Sequence, residues 1–510
     1  MPQSAPPAPT QDDFLGHPAG LSTLFFTELW ERFSYYGMRG LLILYMTAGL
    51  DAGGLGFDTA TAGAVYGLYG GCVYLLCLPG GWLADRWLGA RRATLIGGSL
   101  ILAGHLCLAA PFKDSFFGGL ALVVLGTGLL KPSISKLVGD LYPADDPRRD
   151  AGYSLYYMGI NLGAFLAPLA CGWLALSGEF RAALAGWGVA PANAWHVGFA
   201  AAALGMAGGL WQFRAGHARL ANAGLPPAAG IGASDRRLLR RALLAMAVLV
   251  LVLGVGLMRG WLGVAALSNG FALVLLTVTA GFFISMFRAG DWTDEERARL
   301  RLILILFVAA SVFWSLFEQG GSTLNLFAAR NTDLTLAGYS FPATWFQSVN
   351  PLMIIALAPV FALGWVQLGA RNPSSIAKFT LGLVLVAAGF GVLAVAAVLA
   401  AEGVKVSPLW LVATYLLHSL GELCLSPVGL SAISRLAPAR IASLTMGVWF
   451  LASSVGNYLG GRVAGLYDRF SLPGLFAMVT GLALLAALGL WALGPYARRL
   501  LPPTATGSRP

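Results

Sequence analysis

The chain has 510 residues, of which 57% are hydrophobic and only 11% are charged, and its mean hydropathy is +0.72. Because soluble domains carry about 25% charged residues, a soluble globular protein is excluded. The formal net charge of +10 does not indicate a nucleic-acid partner, since the Lys and Arg residues are scattered between apolar stretches and form no single basic face. The composition indicates a protein that is solvated by lipid and has no nucleic-acid partner.

Apolar stretches of about 20 residues, the length at which a helix spans a bilayer, follow one another along the whole chain. They contain many Gly and Ala residues and do not alternate with polar residues, which favours helices over the strands of an outer-membrane barrel. The predicted fold class is an all-α polytopic membrane protein. Fourteen spans are predicted, near 21–50, 60–84, 92–111, 115–139, 151–177, 194–214, 238–258, 262–287, 300–328, 341–366, 375–400, 408–436, 441–467 and 473–498.

The distribution of Lys and Arg between the loops predicts the orientation. With both termini in the cytoplasm, the inner loops and tails contain most of the 33 Lys and Arg residues. Such an excess of positive charge on the inner side is the usual topology signal. The outer loops then contain six: Lys113, Arg181, Arg259, Arg330, Lys405 and Arg469.

A weak internal repeat predicts the domain organisation. GGWLADRWLGARRAT follows the second span, and GWVQLGARNPSS follows the tenth, at the matching position of a second group of six helices. We therefore predict two six-helix bundles, 21–214 and 300–498, with linkers and an inserted two-helix hairpin in 215–299. Alternatively, the repeat reflects chance use of Gly and Arg in short inner loops. Residues 1–20 and 499–510 are predicted to be cytoplasmic tails, the first of them disordered.

Charged residues inside the spans are the first candidates for a functional site, because a charge at the bilayer centre costs a few kcal/mol. The first span contains Glu28, Glu31, Arg32 and Arg39 on one face of the helix. Glu28 and Arg32 can pair at i,i+4, which leaves Glu31 as the carboxylate most open to protonation. The alternative is a charge-balanced packing cluster without a function.

Three further charges interrupt later spans: Lys131 in the fourth, Glu318 in the ninth and Glu422 in the twelfth. With the first span they make a nearly balanced set of cations and acids. A buried carboxyl group that changes its cation partner can bind and release protons, as a proton-coupled carrier requires. For Arg39 and Arg462, which lie near span ends, snorkelling to the interface is an alternative explanation.

Polar and aromatic side chains in the same spans complete a candidate site for a zwitterion. Neutral hydrogen-bonding groups and aromatic walls, together with cations and acids, suit a substrate with a carboxylate at one end and an ammonium group at the other. Packing or interface anchoring is the alternative for each aromatic residue. The candidates are Asn161, Asn350, Ser426, Tyr35, Tyr36, Tyr74, Trp314, Trp449 and Phe450.

The five cysteines all lie inside apolar segments, and they have no metal-ligand spacing. We expect no disulfide, no metal site and no cofactor. They are Cys72, Cys77, Cys107, Cys171 and Cys424.

Several sequence blocks resemble motifs of the proton-dependent oligopeptide transporter family of the major facilitator superfamily. ELWERFSYY, beginning at Glu28, resembles the family's ExxERFxYY motif, and YYMGINLGA, beginning at Tyr156, resembles FYxxINxG. GGWLADRWLGARR resembles the loop-two motif. Similar blocks continue through LLKPSIS, FWSLFEQGGS, QSVNPL, GELCLSPVGLS and MGVWFLASSVGNYLGG, so the resemblance covers nearly the whole chain.

The resemblance implies a monomeric carrier in the bacterial cytoplasmic membrane that imports di- and tripeptides with protons. It implies twelve core helices in two halves, plus two extra helices between them. No cofactor is implied other than the coupling proton.

The resemblance also assigns roles to the candidate residues. Arg32, Lys131, Tyr35 and Tyr74 would hold the peptide carboxylate, with Tyr74 chosen among the tyrosines of its span by its distance from GGWLADR. Asn161, Asn350 and Glu422 would hold the amino end, and Ser426, Trp314, Trp449 and Phe450 would line the pocket. Tyr36 is a further peptide-binding candidate. Proton coupling would involve Glu28, Glu31, Arg32 and Glu318, and the gating ion pairs would be Lys131 with Glu422 and Arg39 with Glu318.

One departure from the family concerns histidine. Mammalian relatives use a histidine on the second span, but residues 60–84 contain none here. His105, His196 and His418 are expected to make ordinary packing hydrogen bonds, so proton coupling should depend on carboxylates.

Three other functions remain open at this stage. A membrane enzyme is disfavoured because the chain has neither HExxH nor Gly-x-Ser-x-Gly. A carrier of another solute, such as nitrate, an amino acid or a drug, is a second alternative, although nitrate carriers of the family lack the acids of the ExxER motif. A transporter-like receptor is the third.

Overall fold

The computed structural model describes residues 14–500, except residue 144, most of 227–258 and residues 439–444. The described chain is almost entirely helical, with a short antiparallel hairpin formed by β1 (Thr335–Leu336) and β2 (Tyr339–Ser340). In the N-terminal part the helices are α1 (Gly20–Thr47), α2 (Thr59–Leu75), α3 (Cys77–Leu83), α4 (Gly89–Ala109), α5 (Lys113–Asp140), α6 (Arg149–Leu176), α7 (Gly178–Gly186) and α8 (Ala194–Ala215). They continue as α9 (Val264–Arg288), α10 (Asp294–Phe317), α11 (Thr323–Asn331), α12 (Val349–Gln367), α13 (Ser375–Ala400), α14 (Leu409–Leu436), α15 (Thr445–Ala464), α16 (Leu472–Ala492) and α17 (Gly494–Leu500).

The predicted spans agree with these helices. Each predicted span that falls on described residues coincides with a helix or a run of helical turns. The seventh, 238–258, lies mostly outside the described residues. Within the described part of the chain, nine helical stretches are long and apolar enough to cross a membrane. α1 is not one of these nine, although it matches the first predicted span, because it carries four charged residues.

Three of the spans are interrupted. The second consists of α2, α3 and a π-helical turn at Ala84–Leu88, and the tenth begins with a 3-10 turn at Ala343–Ser348. The ninth consists of α10, a 3-10 turn at Glu318–Gly321, and α11. Irregular backbone at membrane depth is tolerated only where other groups satisfy its hydrogen bonds. The interruption of the ninth span therefore needs partners, and it contains one of the candidate charges.

The chain folds into two compact units, which are described separately. The first unit comprises residues 1–38, 76–171 and 196–240, and the second comprises residues 39–75, 172–195 and 241–510. The chain first passes from one unit to the other inside α1, after Met38. The predicted bundle bounds, 21–214 and 300–498, follow chain order instead and stay a prediction.

The first unit has a continuous hydrophobic core to which α1, α4, α5, α6 and α8 contribute. Close van der Waals packing of these side chains stabilises the contacts between the helices, because lipid tails are as apolar as the side chains and supply no hydrophobic driving force. The fully or nearly fully buried members are Leu21, Leu24, Ala90, Ile101, Leu130, Ile134, Leu137, Val138, Tyr156, Met206, Phe213, Leu220 and Ala223.

The GGWLADRWLGARR motif lies in the first unit, and its charged residues fix the chain around it. Lys136 Nζ lies 2.6 Å from Asp85 Oδ1. The buried guanidinium of Arg91 donates hydrogen bonds to the carbonyl oxygens of Ala221 and Ala223, in the segment that follows α8. The motif therefore anchors the start of the linker that leads to the predicted insertion.

In the second unit, α13 packs against α14 and α16, and α2 packs against α15. The contact between α2 and α15 is formed by glycines. A Cβ atom on Gly461 would lie 2.3 Å from Gly67 Cα, so the two backbones touch where neither residue has a side chain. Ser454 Oγ, on α15, donates a hydrogen bond of 2.7 Å to Gly71 O, on α2.

Candidate functional site

The charged residues of α1 that belong to the first unit form one buried cluster. Glu28, Glu31 and Arg32 are 2%, 0% and 3% exposed. Arg32 Nε lies 3.2 Å from Glu28 Oε1, one helical turn away. The same guanidinium binds both oxygens of Glu31, through Nη2 at 2.7 Å from Oε1 and through Nε to Oε2. One cation is thus shared by two carboxylates.

This geometry reverses the predicted order of the two acids. The i,i+4 pair of Glu28 and Arg32 is present, but Glu31 is not left over, because Arg32 folds back onto its neighbour and binds it with two nitrogens. Glu28 instead has only one contact with Arg32, through Oε1, and its side chain also lies beside that of Tyr156. Adjacent helical residues do not normally face each other, so spacing alone does not reveal this contact.

Lys131 and two tyrosines surround the cluster. The ammonium group of Lys131, on α5, lies within electrostatic range of Glu31, Arg32 and Tyr36. Arg32 Cζ lies over the ring of Tyr35 at 5.0 Å from its centroid, and the rings of Tyr35 and Tyr36 are perpendicular with centroids 5.2 Å apart. Two acids and two cations therefore balance one another beside two aromatic rings.

Two other residues, Asn161 and Tyr74, are predicted to bind the ends of the peptide. Asn161, on α6 of the first unit, donates through Nδ2 to Tyr157 O of its own helix at 3.0 Å. Tyr74, on α2, belongs to the second unit, whereas Arg32 belongs to the first. Their predicted contacts with a substrate stay predictions.

In the second unit, Arg39 and Glu318 form the ion pair that was predicted for a gate. Arg39 Nη2 lies 2.6 Å from Glu318 Oε2 and donates to the backbone oxygen of the same residue at 3.3 Å. Arg39 Nε donates to Tyr66 Oη at 2.8 Å. Both charged side chains are almost completely buried, so Arg39 does not snorkel to the interface. The gating role of the pair stays a prediction.

The 3-10 turn at Glu318–Gly321 is shaped to make this pair possible. A Cβ atom on Gly321 would lie 2.1 Å from Tyr66 Oη and 2.8 Å from Arg39 Nε, so a glycine is needed here for both side chains to approach. Tyr415 Oη, on α14, donates to Gly320 O at 3.0 Å. Sequence reasoning missed these contacts of Tyr66 and Tyr415, although the paired glycines after Glu318 were the signal of a tight approach.

Glu422 has an amide partner. Asn350 Nδ2 donates to Glu422 Oε2 at 3.0 Å and to Ser419 Oγ at 3.0 Å. Among the described residues of its unit, Glu422 forms no ion pair within 4.0 Å. Ser426 follows Glu422 by one turn of α14 and lies on the same face of the helix. Sequence reasoning missed Ser419, which resembles any small residue of a packed helix.

Two of the predicted aromatic residues meet. The rings of Trp314 and Trp449 are perpendicular, with centroids 6.1 Å apart. Trp314 Nε1 is buried without a hydrogen-bond partner among the described residues, so an indole donor is available. Phe450 is half-buried on the neighbouring position of α15. Lys131 and Glu422 lie in different units, and their predicted pairing stays a prediction.

None of the three histidines inside the predicted spans is exposed. His196 Nδ1 lies 3.4 Å from Leu108 O, and the ring of His418 lies 4.8 Å from that of Phe390. The expected packing hydrogen bonds are wrong for His105, since neither of its ring nitrogens has a partner among the described residues.

Membrane-spanning helices that bury compensating charges define a polytopic membrane transporter, because such charges are costly in lipid unless they serve a substrate or ion. Comparison with known proteins agrees. The family model described as POT family matches residues 91–479. The chain belongs to the POT family.

Relatives and solved structures are similar to this chain over nearly its whole length. A peptide transporter of Yersinia enterocolitica is 42% identical, with 98% of each chain covered. A di-/tripeptide transporter of Lactococcus lactis subsp. cremoris is 37% identical, with 93% of this chain and 96% of the relative covered. The crystal structure of peptide transporter POT in complex with sulfate is 42% identical, covers 98% of each chain and has a TM-score of 0.88.

A POT family transporter in complex with 5-aminolevulinic acid is 34% identical, with 96% of this chain and 98% of that chain covered and a TM-score of 0.87. The expected all-α fold of the major facilitator type is confirmed by these matches. The protein is a transmembrane transporter and not an enzyme.

Proposed function

We propose that this protein imports di- and tripeptides together with protons across the cytoplasmic membrane by alternating access, with the substrate site between the two predicted halves and both termini inside. The observation that carries the proposal is the sharing of Arg32 by Glu28 and Glu31 beside Lys131. The names of the peptide transporters that resemble this chain support the substrate class.

The shared guanidinium suggests how substrate and proton are coupled. A peptide carboxylate that binds Arg32 and Lys131 competes with Glu31 and Glu28 for the same positive charge. A carboxylate that loses its cation in a buried site is stabilised by binding a proton. Substrate binding and proton binding then favour each other, and both are released when the acid regains Arg32.

The environment of Glu422 suits the amino end of a peptide. Its described partner is the amide of Asn350, and a hydrogen bond from a neutral amide leaves the negative charge uncompensated. A peptide ammonium group would supply that charge. Trp314, Trp449 and Phe450 would then provide an apolar wall for varied side chains.

The Arg39–Glu318 pair suits a gate. It holds a residue of α1 against the 3-10 turn at Glu318–Gly321, and both charges are buried. Opening this contact requires the two charges to separate or one of them to be neutralised. Protonation of Glu318 would achieve the second, which ties the gate to the proton.

The deciding experiment uses purified protein in proteoliposomes. Accumulation of a labelled dipeptide above the external concentration is expected when the proton gradient is directed inward, and a protonophore should abolish it. Liposomes without protein provide the control. Absence of gradient-driven accumulation would defeat the proposal. Binding without uptake would identify a receptor, and uptake of labelled nitrate or an amino acid that dipeptides do not inhibit would identify another carrier.

A further inference from the structure

The α2–α15 contact has a third participant, α9, which lies in the second unit and corresponds to the second helix of the predicted insertion. α9 packs against α2, α10 and α15. The neighbours α2 and α15 come from different predicted halves of the chain, and their backbones touch at Gly67 and Gly461. We call this contact between α2 and α15 the seam.

α9 is bonded to the α15 side of the seam by polar groups. Tyr458 Oη donates to Ser268 O at 2.9 Å and lies 3.4 Å from Ser268 Oγ. Arg462 Nη1 donates to Asn269 Oδ1 at 3.2 Å. The Tyr458 and Ser268 groups are buried, where a hydrogen bond has no water to compete with it. The bond to Asn269 gives Arg462 a structural role. From sequence alone, this residue is assigned either to the interior of the span or to snorkelling.

One aromatic residue of α9 reaches the α2 side. The ring of Phe271 lies 5.5 Å from that of Tyr458, centroid to centroid. A Cβ atom on Gly71 of α2 would lie 2.7 Å from Phe271 Cε1, so the ring packs directly on the α2 backbone. Phe271 therefore touches both helices of the seam at once.

The other end of α9 is fixed to the C-terminal part of the chain. The rings of Phe283 and Phe307, the latter on α10, are 4.9 Å apart. Trp292 Nε1 donates to Met286 O at 3.1 Å and closes the turn between α9 and α10. α9 is thus held to α10 and α15 by specific side-chain contacts and also packs along α2, so it joins both helices of the seam.

We infer that α9 is a brace which stabilises the closed seam and thereby sets how often α2 and α15 separate during transport. The inference rests on the proposed alternating access, in which the two halves must part along such a contact. If α2 moves away from α15, Phe271 cannot remain against both Gly71 and Tyr458. Opening therefore costs the free energy of this contact, as it does for any interaction that is made only in the closed state.

The test measures the seam directly by spin-label distances. Labels are placed on two exposed positions, Asp58 directly before α2 and Arg469 after α15, on a background without the native cysteines. Phe271→Ala should raise the ratio of open to closed molecules by about tenfold relative to the labelled parent. Leu276→Ala is the matched control, because Leu276 lies on the same helix but is 67% exposed.

A second, smaller substitution distinguishes loss of the contact from misfolding. Tyr458→Phe keeps the ring and removes only the hydroxyl that binds Ser268, and it should raise the open fraction by about fivefold. If both Phe271→Ala and Tyr458→Phe give the same distances as Leu276→Ala, the brace does not exist. The distances are measured without substrate or gradient, so failure of peptide uptake would overturn the proposed function and leave this result standing.

Discussion

The two units treat the acids inside their predicted spans differently. In the first unit, Glu28 and Glu31 share Arg32, with Lys131 nearby. In the second unit each acid has its own partner: Glu318 is bound by Arg39, and Glu422 by Asn350. A cation that is shared by two acids can bind a third carboxylate without any helix moving. An acid with a single partner is released only when the helix that carries the partner moves or when one of the two groups changes its charge. The first arrangement suits sensing of substrate and proton, and the second suits holding a conformation.

Removal of the shared cation is the strongest test of this difference between the units. Arg32→Ala leaves two buried carboxylates without their guanidinium, and we expect the free energy of unfolding to fall by ~3–5 kcal/mol. Uptake should be abolished. Arg32→Lys keeps the charge but cannot bind two acids through a planar fork, so it should recover stability better than transport. Full uptake by Arg32→Lys, measured beside thermal unfolding in detergent, would contradict a shared cation.

Neutralising one of the acids that share Arg32 should separate coupling from binding. Glu31→Gln is expected to exchange peptide across the membrane at a normal rate but to lose gradient-driven accumulation by about tenfold or more. Glu28→Gln provides the comparison within the cluster. Counterflow exchange and accumulation are measured on the same proteoliposomes. Undiminished accumulation by Glu31→Gln would remove Glu31 from the coupling role.

A methyl group added at the 3-10 turn Glu318–Gly321 tests the ion pair of the second unit. In Gly321→Ala the new Cβ would overlap Tyr66 Oη, and displacement of Tyr66 and Arg39 should cost ~1–3 kcal/mol of stability and slow uptake. Gly320→Ala is the matched control, since its Cβ would meet Tyr415 Cε1 at an ordinary 3.5 Å. Equal thermal stability and uptake rates in the two variants would show that the close approach at Gly321 is unimportant.

The smallest effect is expected at the amide partner of Glu422. Asn350→Ala removes hydrogen bonds to Glu422 and Ser419, and we expect a loss of about 1 kcal/mol, which appears as a roughly fivefold higher KM for dipeptide. Ser419→Ala separates the two bonds, because it leaves the bond to Glu422 intact. A KM raised equally by both variants would mean that Ser419, and not Glu422, accounts for the effect.

Much of the helical framework could be predicted from sequence. The apolar stretches end where charges and Gly or Pro residues begin, so their lengths locate the helices within a few residues. The candidate charges could be found for the same reason, since an acid such as Glu422 stands out in an apolar stretch. Pattern reveals position along a helix but not the conformation of a long side chain, and this is why the order of Glu28 and Glu31 came out reversed.

The residues that were missed are uncharged. Tyr66, Tyr415 and Ser419 bind the charged residues but look like ordinary packing residues in their helices. Their importance depends on which helices become neighbours, and a single sequence does not contain that information. Gly321 is similar, because its need for a missing side chain arises only from Tyr66 and Arg39 on other helices.

The break in the ninth span has a consequence for hydration. At Glu318–Gly321 the backbone leaves the α-helical pattern, and two of its carbonyl groups are bound by side chains: that of Glu318 by Arg39 and that of Gly320 by Tyr415. When Arg39 departs, the carbonyl of Glu318 loses this donor, and an unsatisfied backbone group within a bilayer costs several kcal/mol. Water must replace the guanidinium at that moment. The ion pair of Arg39 and Glu318 can therefore open only as fast as water reaches it, and it would stay closed if water were excluded.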